Sequence, residues 1–275
     1  MSALAIVLGV AFVAGSFVFT DTLDETFERL FSDANSDVIV RPVLGEGDQF
    51  QFTGGDARTL PAAMVDDLAG VDGVDRADGV VSNQSVFVIG SEGKLVGGTG
   101  APGIATNWTD APAEDGSNPL QVVDGREPRT AGEVVLETKT ADRAEYEVGD
   151  RVTLVMPGDP PQIGATLVGI TDFGNGNSLL GATLTLFDTQ TAQDLLLDGE
   201  DVFNSIAVTA DDGADVAEVS DRIAQTLPEG VEARTGAEIA AESEGAIEQA
   251  LGFFNTFLLV FAAVVLGGLG TAWGA

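Results

Sequence analysis

The chain contains no cysteine and no histidine in its 275 residues. The lack of cysteine excludes disulfides, thiol catalysis and a lipoprotein anchor. The lack of histidine removes the commonest metal ligand and the commonest general base.

Basic residues are also scarce. The chain has 12 Lys and Arg residues and 44 Asp and Glu residues, which give a formal net charge of −32. Such a chain repels polyanions, so we expect no nucleic acid partner. The same balance fits a surface adapted to salt, or the Asp-rich usage of a high-GC genome, in which acidic groups keep the domain soluble.

Charge is absent altogether from the two ends of the chain, Ala3–Phe19 and Leu251–Ala275. A helix over the first run spans roughly 26 Å, and one over the second exceeds the roughly 30 Å hydrocarbon core of a bilayer. Both runs are therefore predicted to be transmembrane helices in a lipid bilayer. The alternatives are a cleaved signal peptide, which Met1–Ser2 disfavours because it supplies no Lys or Arg, and a buried core helix at the end.

Flanking charge does not orient these helices. Arg29 and Arg41 follow the first run and mildly oppose export of the loop, but long loops translocate largely regardless of charge. If both runs cross the bilayer, the chain ends share one side and the loop lies on the other.

Two βαβ units lie between the apolar ends, separated by a long insert. Each unit reads as strand, helix and strand, over Asp37–Val43, Leu60–Leu68 (with Pro61 in its first turn) and Val74–Val81, and again over Asn204–Ala210, Asp215–Leu227 and Val231–Thr235. Two such halves can pair into one ferredoxin-like sandwich, with a sheet on one side and both helices on the other.

The insert is rich in short strands and in glycine-containing turns. Its predicted strands and the helix that follows them are Glu133–Glu137, Arg151–Met156, Ala165–Thr171, Ala182–Phe187 and Thr189–Leu197. This pattern is typical of a small β-sandwich or barrel-like subdomain.

Sequence motifs of known catalytic and ligand-binding sites are incomplete or wrongly spaced in this chain. Gly97–Gly100 lacks the Gly-Lys-Ser/Thr ending of a phosphate loop, and Asp172–Gly174 copies a kinase motif without its companions. Aspartates recur at every third residue over Asp72–Asp78, whereas an EF-hand loop uses every second position. Asn107–Thr109 is formally a glycosylation acceptor. We predict no catalytic, cofactor-binding or metal-binding residue, no cofactor and no enzymatic activity.

Several short sequence words occur in the order of one known family. They are Val123–Pro128 (VDGREP), Gly132–Leu136 (GEVVL), Val148–Val152 (VGDRV) and Leu167–Ile170 (LVGI). This run resembles the extracytoplasmic domain of the MacB/FtsX-like ABC transporter permeases, and Gly252–Leu266 resembles the start of that family's second span. The similarity covers nearly the whole chain in order.

The resemblance implies an α+β fold, in which two transmembrane helices flank an extracytoplasmic domain. That domain is a ferredoxin-like, porter-type subdomain with an inserted β-rich subdomain. The predicted boundaries are transmembrane helix 1–20, stalk helix 21–35, first porter-like half 36–90, β-rich insert 91–200, second porter-like half 201–236, stalk helix 237–250 and transmembrane helix 251–275.

The resemblance also implies a function and partners. Such permeases are multi-pass proteins of the prokaryotic cell membrane, paired as homodimers or heterodimers, and a separate ABC ATPase moves their large extracytoplasmic loop. Because this chain ends at the second span, we expect the N-terminal portion of a permease that exports or extracts a substrate, or activates a partner. The alternative is a standalone membrane-anchored binding module or a nonfunctional fragment.

Overall fold

A computed structural model describes residues 36–43, 58–97, 102–112, 117–157, 161–173 and 181–241. The predicted transmembrane helices, 1–20 and 251–275, and the first stalk helix, 21–35, lie outside the described residues. Residues 236–241, at the start of the second predicted stalk, are helical. In the part of the chain that the structure covers, no helix is long and apolar enough to cross a membrane.

The described residues form a mixed α and β structure. The strands are β1 (Val38–Pro42), β2 (Leu60–Pro61), β3 (Val74–Val80), β4 (Ser82–Asn83), β5 (Phe87–Ile89), β6 (Gly103–Asn107), β7 (Leu120–Gly125), β8 (Glu133–Glu137), β9 (Arg151–Val155), β10 (Gln162–Phe173), β11 (Thr183–Phe187), β12 (Val202–Phe203), β13 (Ser205–Ala210) and β14 (Val231–Thr235). The helices are α1 (Ala63–Ala69), α2 (Thr138–Ala144), α3 (Thr189–Leu196) and α4 (Val216–Ala224).

The first sheet has four antiparallel strands in the order β14-β1-β13-β3. Alternate side chains of its central strands, such as Val38 and Ile206, are fully buried, as expected for a sheet with one covered face. They pack against Leu68 of α1 and against Val219 and Ile223, which lie one turn apart on α4. The two predicted βαβ units therefore contribute to one four-stranded sheet.

The second sheet has eight strands, ordered β4-β6-β11-β8-β10-β9-β5, with β7 paired to β10. The strands β4 and β5 belong to one segment, 82–89, which pairs with β6 at its start and with β9 at its end. Because β6 and β9 lie near opposite ends of the strand order, this segment closes the sheet on itself. Buried side chains such as Leu136, Leu154 and Phe187 fill the interior.

Two predicted boundaries differ from the observed structure. Leu60–Pro61 was expected to open the first helix, but it pairs as β2 with β12. The burial of Leu60 and the hydrogen bond from the Ala62 N–H to the Asp201 carbonyl, at 3.1 Å, hold this segment extended, so α1 begins at Ala63. The strands β4 and β5 lie within the range 36–90 but pair with the eight-stranded sheet, so the chain passes from one sheet to the other near Val81.

Candidate functional site: the junction between the sheets

The chain crosses between the two sheets at two neighbouring places. It leaves the four-stranded sheet after Val80 and returns to it at Asn204. The Asn204 backbone N–H donates to the Val80 carbonyl at 2.9 Å, and the Asn204 Oδ1 accepts from the Ser82 N–H at 2.8 Å. Asn204, where the chain returns, therefore holds the residues on both sides of Val81, where the chain leaves the sheet.

Asn107, the last residue of β6, is the polar centre of the junction. Its Oδ1 accepts from the Val81 N–H at 2.8 Å, and its Nδ2 donates to the Gly79 carbonyl at 2.9 Å and to the Thr189 Oγ1 at 3.1 Å. The Asn107 backbone N–H donates to the Val81 carbonyl at 3.3 Å. The residue is only 2% exposed, so this amide is satisfied by the protein itself and is inaccessible to a glycosylating enzyme in the folded chain.

Phe203 forms the apolar part of the junction. Its ring lies directly over Gly79 of β3, so closely that a Cβ at Gly79 would overlap three ring atoms. Phe203 packs with the core of the eight-stranded sheet, whereas Gly79 belongs to the four-stranded sheet. The absence of a side chain at Gly79 is therefore what allows the two sheets to approach here.

Arg76 connects β3 of the four-stranded sheet to the loop that follows β6, nearer the surface. Its guanidinium binds the Asp78 carboxylate through two hydrogen bonds, at 2.7 and 2.5 Å, and its Nη1 donates to the Asp110 carbonyl at 3.3 Å. The hydrogen bond to Asp78 raises the pKa of Arg76 above the ordinary arginine value, so the side chain stays charged. Asp110 is held in turn by the Trp108 indole N–H, which donates to its Oδ1 at 3.1 Å.

The family-like words VDGREP, GEVVL and LVGI contribute to a clasp on the eight-stranded sheet. It is made of Gly125, Arg126, Glu133 and Gly169, together with Arg129. Arg126 donates to the two Glu133 carboxylate oxygens at 2.9 and 2.5 Å, and the Arg129 N–H donates to Oε2 at 3.0 Å. The Arg126 hydrogen bonds lower the pKa of Glu133 to about 2. The clasp thus joins the segment after β7 to β8.

The aspartates noted in the sequence do not converge. Asp72 accepts from Arg222 at 3.2 Å, and Asp78 is held by Arg76. Asp172 accepts a 2.6 Å hydrogen bond from the Thr138 Oγ1, which is a structural contact rather than a kinase-like one. Over the described ranges, no three acidic side chains are arranged to hold a metal ion.

An open cleft of about 650 Å³ lies at one end of the four-stranded sheet. Asp37, Asp75, Asp211 and Asp212 line it, so it disfavours anions. The Asp37 Oδ2 already accepts from the Ala210 N–H at 2.8 Å. Asp37 therefore has a structural role, joining β1 to β13.

The chain enters and leaves the four-stranded sheet side by side. Val38 pairs with Thr235 across the antiparallel strands β1 and β14, and the Gly236 N–H donates to the Asp37 carbonyl at 2.9 Å. The segments before β1 and after β14 therefore start at the same end of the sheet, on neighbouring strands.

Known proteins resemble this chain in sequence pattern and in fold. The family model of the MacB-like periplasmic core domain matches residues 1–226. Among proteins with curated descriptions, none matches. The periplasmic region of MacB from Actinobacillus actinomycetemcomitans is similar in fold, with a TM-score of 0.51 at 14% identity, over 78% of this chain and 94% of that one. The extracellular domain of the noncanonic ABC-type transporter YknZ from Gram-positive bacteria gives a TM-score of 0.47 at 13% identity, over 72% and 99% of the two chains.

Proposed function

Because the chain belongs to the family of MacB-like periplasmic core domains, we propose that it is the N-terminal portion of an ABC transporter permease. Its extracytoplasmic domain receives movement from a separate ATPase subunit and uses it to export or extract a substrate, or to activate a partner. In this proposal the four-stranded sheet with α1 and α4 is the ferredoxin-like, porter-type subdomain, and the eight-stranded sheet is the inserted β-rich subdomain.

The observation that carries the proposal is the side-by-side entry and exit of the chain. A domain held by two adjacent connections can be moved by a small relative shift of the two. The uncharged runs Ala3–Phe19 and Leu251–Ala275 lie beyond those connections in the sequence and are long enough to anchor both of them in the bilayer. The domain then stands outside the cytoplasm on two stalks, in a multi-pass membrane protein that pairs with a second permease. No catalytic role is assigned to the chain.

The first test is the membrane topology of the chain. Because the chain has no cysteine of its own, an introduced cysteine is its only reactive thiol. A cysteine introduced at exposed Asp66 on α1 should react with a membrane-impermeant maleimide in intact cells. The matched S2C variant should react only after the membrane is permeabilised. Protection of D66C in intact cells would place the domain on the cytoplasmic side and contradict the proposal.

The partner is tested in native membranes with an antibody against Glu133–Met156. Capture of a species well above 28.2 kDa together with an ATPase subunit is the expected result. A species of 28.2 kDa without an ATPase would instead support the standalone membrane-anchored module and end the transporter proposal.

A further inference from the structure

We propose that the four-stranded and eight-stranded sheets move as one rigid body, and that Asn107 is the positioning residue that locks them together. The role of this rigid body rests on the proposed function, because a domain that transmits movement must not bend between its membrane attachment and its far end. Its evidence is independent of that function and lies in the junction itself.

The first argument is the cost of opening the Asn107 network. Bending at Val81 requires the Asn107 side chain to release the Val81 N–H and the Gly79 carbonyl. Asn107 is nearly inaccessible, so water cannot replace these partners unless the junction opens as a whole. Buried polar groups left without partners are strongly unfavourable, so partial bending is suppressed.

The second argument is that the apolar cores of the two sheets are continuous. Val65 on α1 packs against both core clusters. The Phe203 ring extends this continuity across Gly79. A hinge between independent subdomains would instead have a polar, loosely packed gap on at least one side.

The third argument concerns rotation about the two crossings, which are adjacent and could act together as an axis. Arg76 lies four residues before Val80 on β3, about 13 Å away along an extended strand. Its contact with the Asp110 carbonyl joins β3, at a distance from that axis, to the loop that follows β6. Rotation would therefore break this contact while straining the Asn107 network.

The test measures the distance between the two sheets in the full chain in detergent. Spin labels are placed on exposed cysteines introduced at Ala217 on α4 and Asp142 on α2, and the distance distribution is recorded by pulsed electron resonance. A single narrow distribution is expected in the otherwise unchanged chain. The N107A variant should broaden the distribution, and N118A should not, because Asn118 only caps the nearby Leu120 N–H.

A second readout follows the amide that Asn107 holds. Hydrogen exchange at the Val81 N–H should accelerate at least about ten-fold in N107A, because the amide loses its buried acceptor. If N107A fails to fold, N204A takes its place, since it removes only the bond to the Ser82 N–H and should also broaden the distribution.

The proposal is overturned if the labelled chain already shows a broad distribution, or if a folded N107A or N204A variant leaves it as narrow as N118A does. These measurements need no ATPase. A narrow distribution in a chain that captures no ATPase would therefore leave the rigid body standing and remove only the proposed transport function.

Discussion

The substitution G79A is the sharpest probe of how the two sheets meet. A methyl group at this position overlaps the Phe203 ring, which is 8% exposed and packed in the core, so the ring or the β3 backbone must move. Overpacking of this kind costs about 1–3 kcal/mol. The expected result is a loss of that size in the free energy of unfolding, measured by urea titration of the full chain in detergent.

The matched control is G70A, because Gly70 follows α1 with φ −86° and an added Cβ there makes only ordinary contacts. It should be neutral or stabilising by up to about 1 kcal/mol. F203A alone should cost about 3–5 kcal/mol through the cavity it leaves. In that background G79A should cost almost nothing, because the methyl occupies the vacated space. Additive losses in the double variant, or a G79A as mild as G70A, would refute the steric explanation.

Five other substitutions test individual contacts by chemical unfolding. The Glu133 carboxyl has a lowered pKa in the folded state, so its stabilising contribution is complete above pH 4.5 and is lost as the pH falls toward about 2; E133Q should flatten the pH dependence of stability across that window. T185V should stabilise by about 1 kcal/mol, since the buried Thr185 hydroxyl has no partner among the described residues, whereas T140V should destabilise by about 2 kcal/mol because it removes two hydrogen bonds. D215A should cost about 1 kcal/mol by removing the N-cap of α4, and D212A, a neighbouring aspartate, should change little.

Elements with a strong local period were predictable from the sequence. The apolar positions Val219 and Ile223 sit four residues apart behind a capping Asp215, and α4 forms there. The alternation in Val38–Pro42 likewise gives β1. Both patterns work because burial on one face of a single element decides them, without reference to distant parts of the chain.

Other elements depend on partners far away in the chain. The strand β2 exists because Leu60 pairs with Phe203, and β4 exists because Ser82 pairs with Thr106. None of these partners is visible from a local window of sequence.

The junction residues were missed for the same reason. In the sequence, Asn107 stands out only as a formal glycosylation acceptor, and its neighbours Trp108 and Thr109 do not indicate the network that it forms. Its four partner groups belong to Gly79, Val81 and Thr189, which lie in two segments distant from Asn107 in the sequence, so only the folded chain brings them together. The roles of Phe203 and Gly79 likewise become visible only in the folded chain, where the Phe203 ring lies over Gly79.

The words that place the chain in its family have a structural role here. Gly125 has φ 74° and leaves no room for a side chain beside the Val168 carbonyl, and a Cβ on Gly169 would overlap the Arg126 carbonyl. The Glu133 carboxylate accepts hydrogen bonds from Arg126 and from the Arg129 N–H. Each of these groups makes contacts that hold strands together, so the family-like sequence words reflect the fold of the domain. In the proposed permease function, selection of a substrate or partner would therefore depend on side chains outside the clasp.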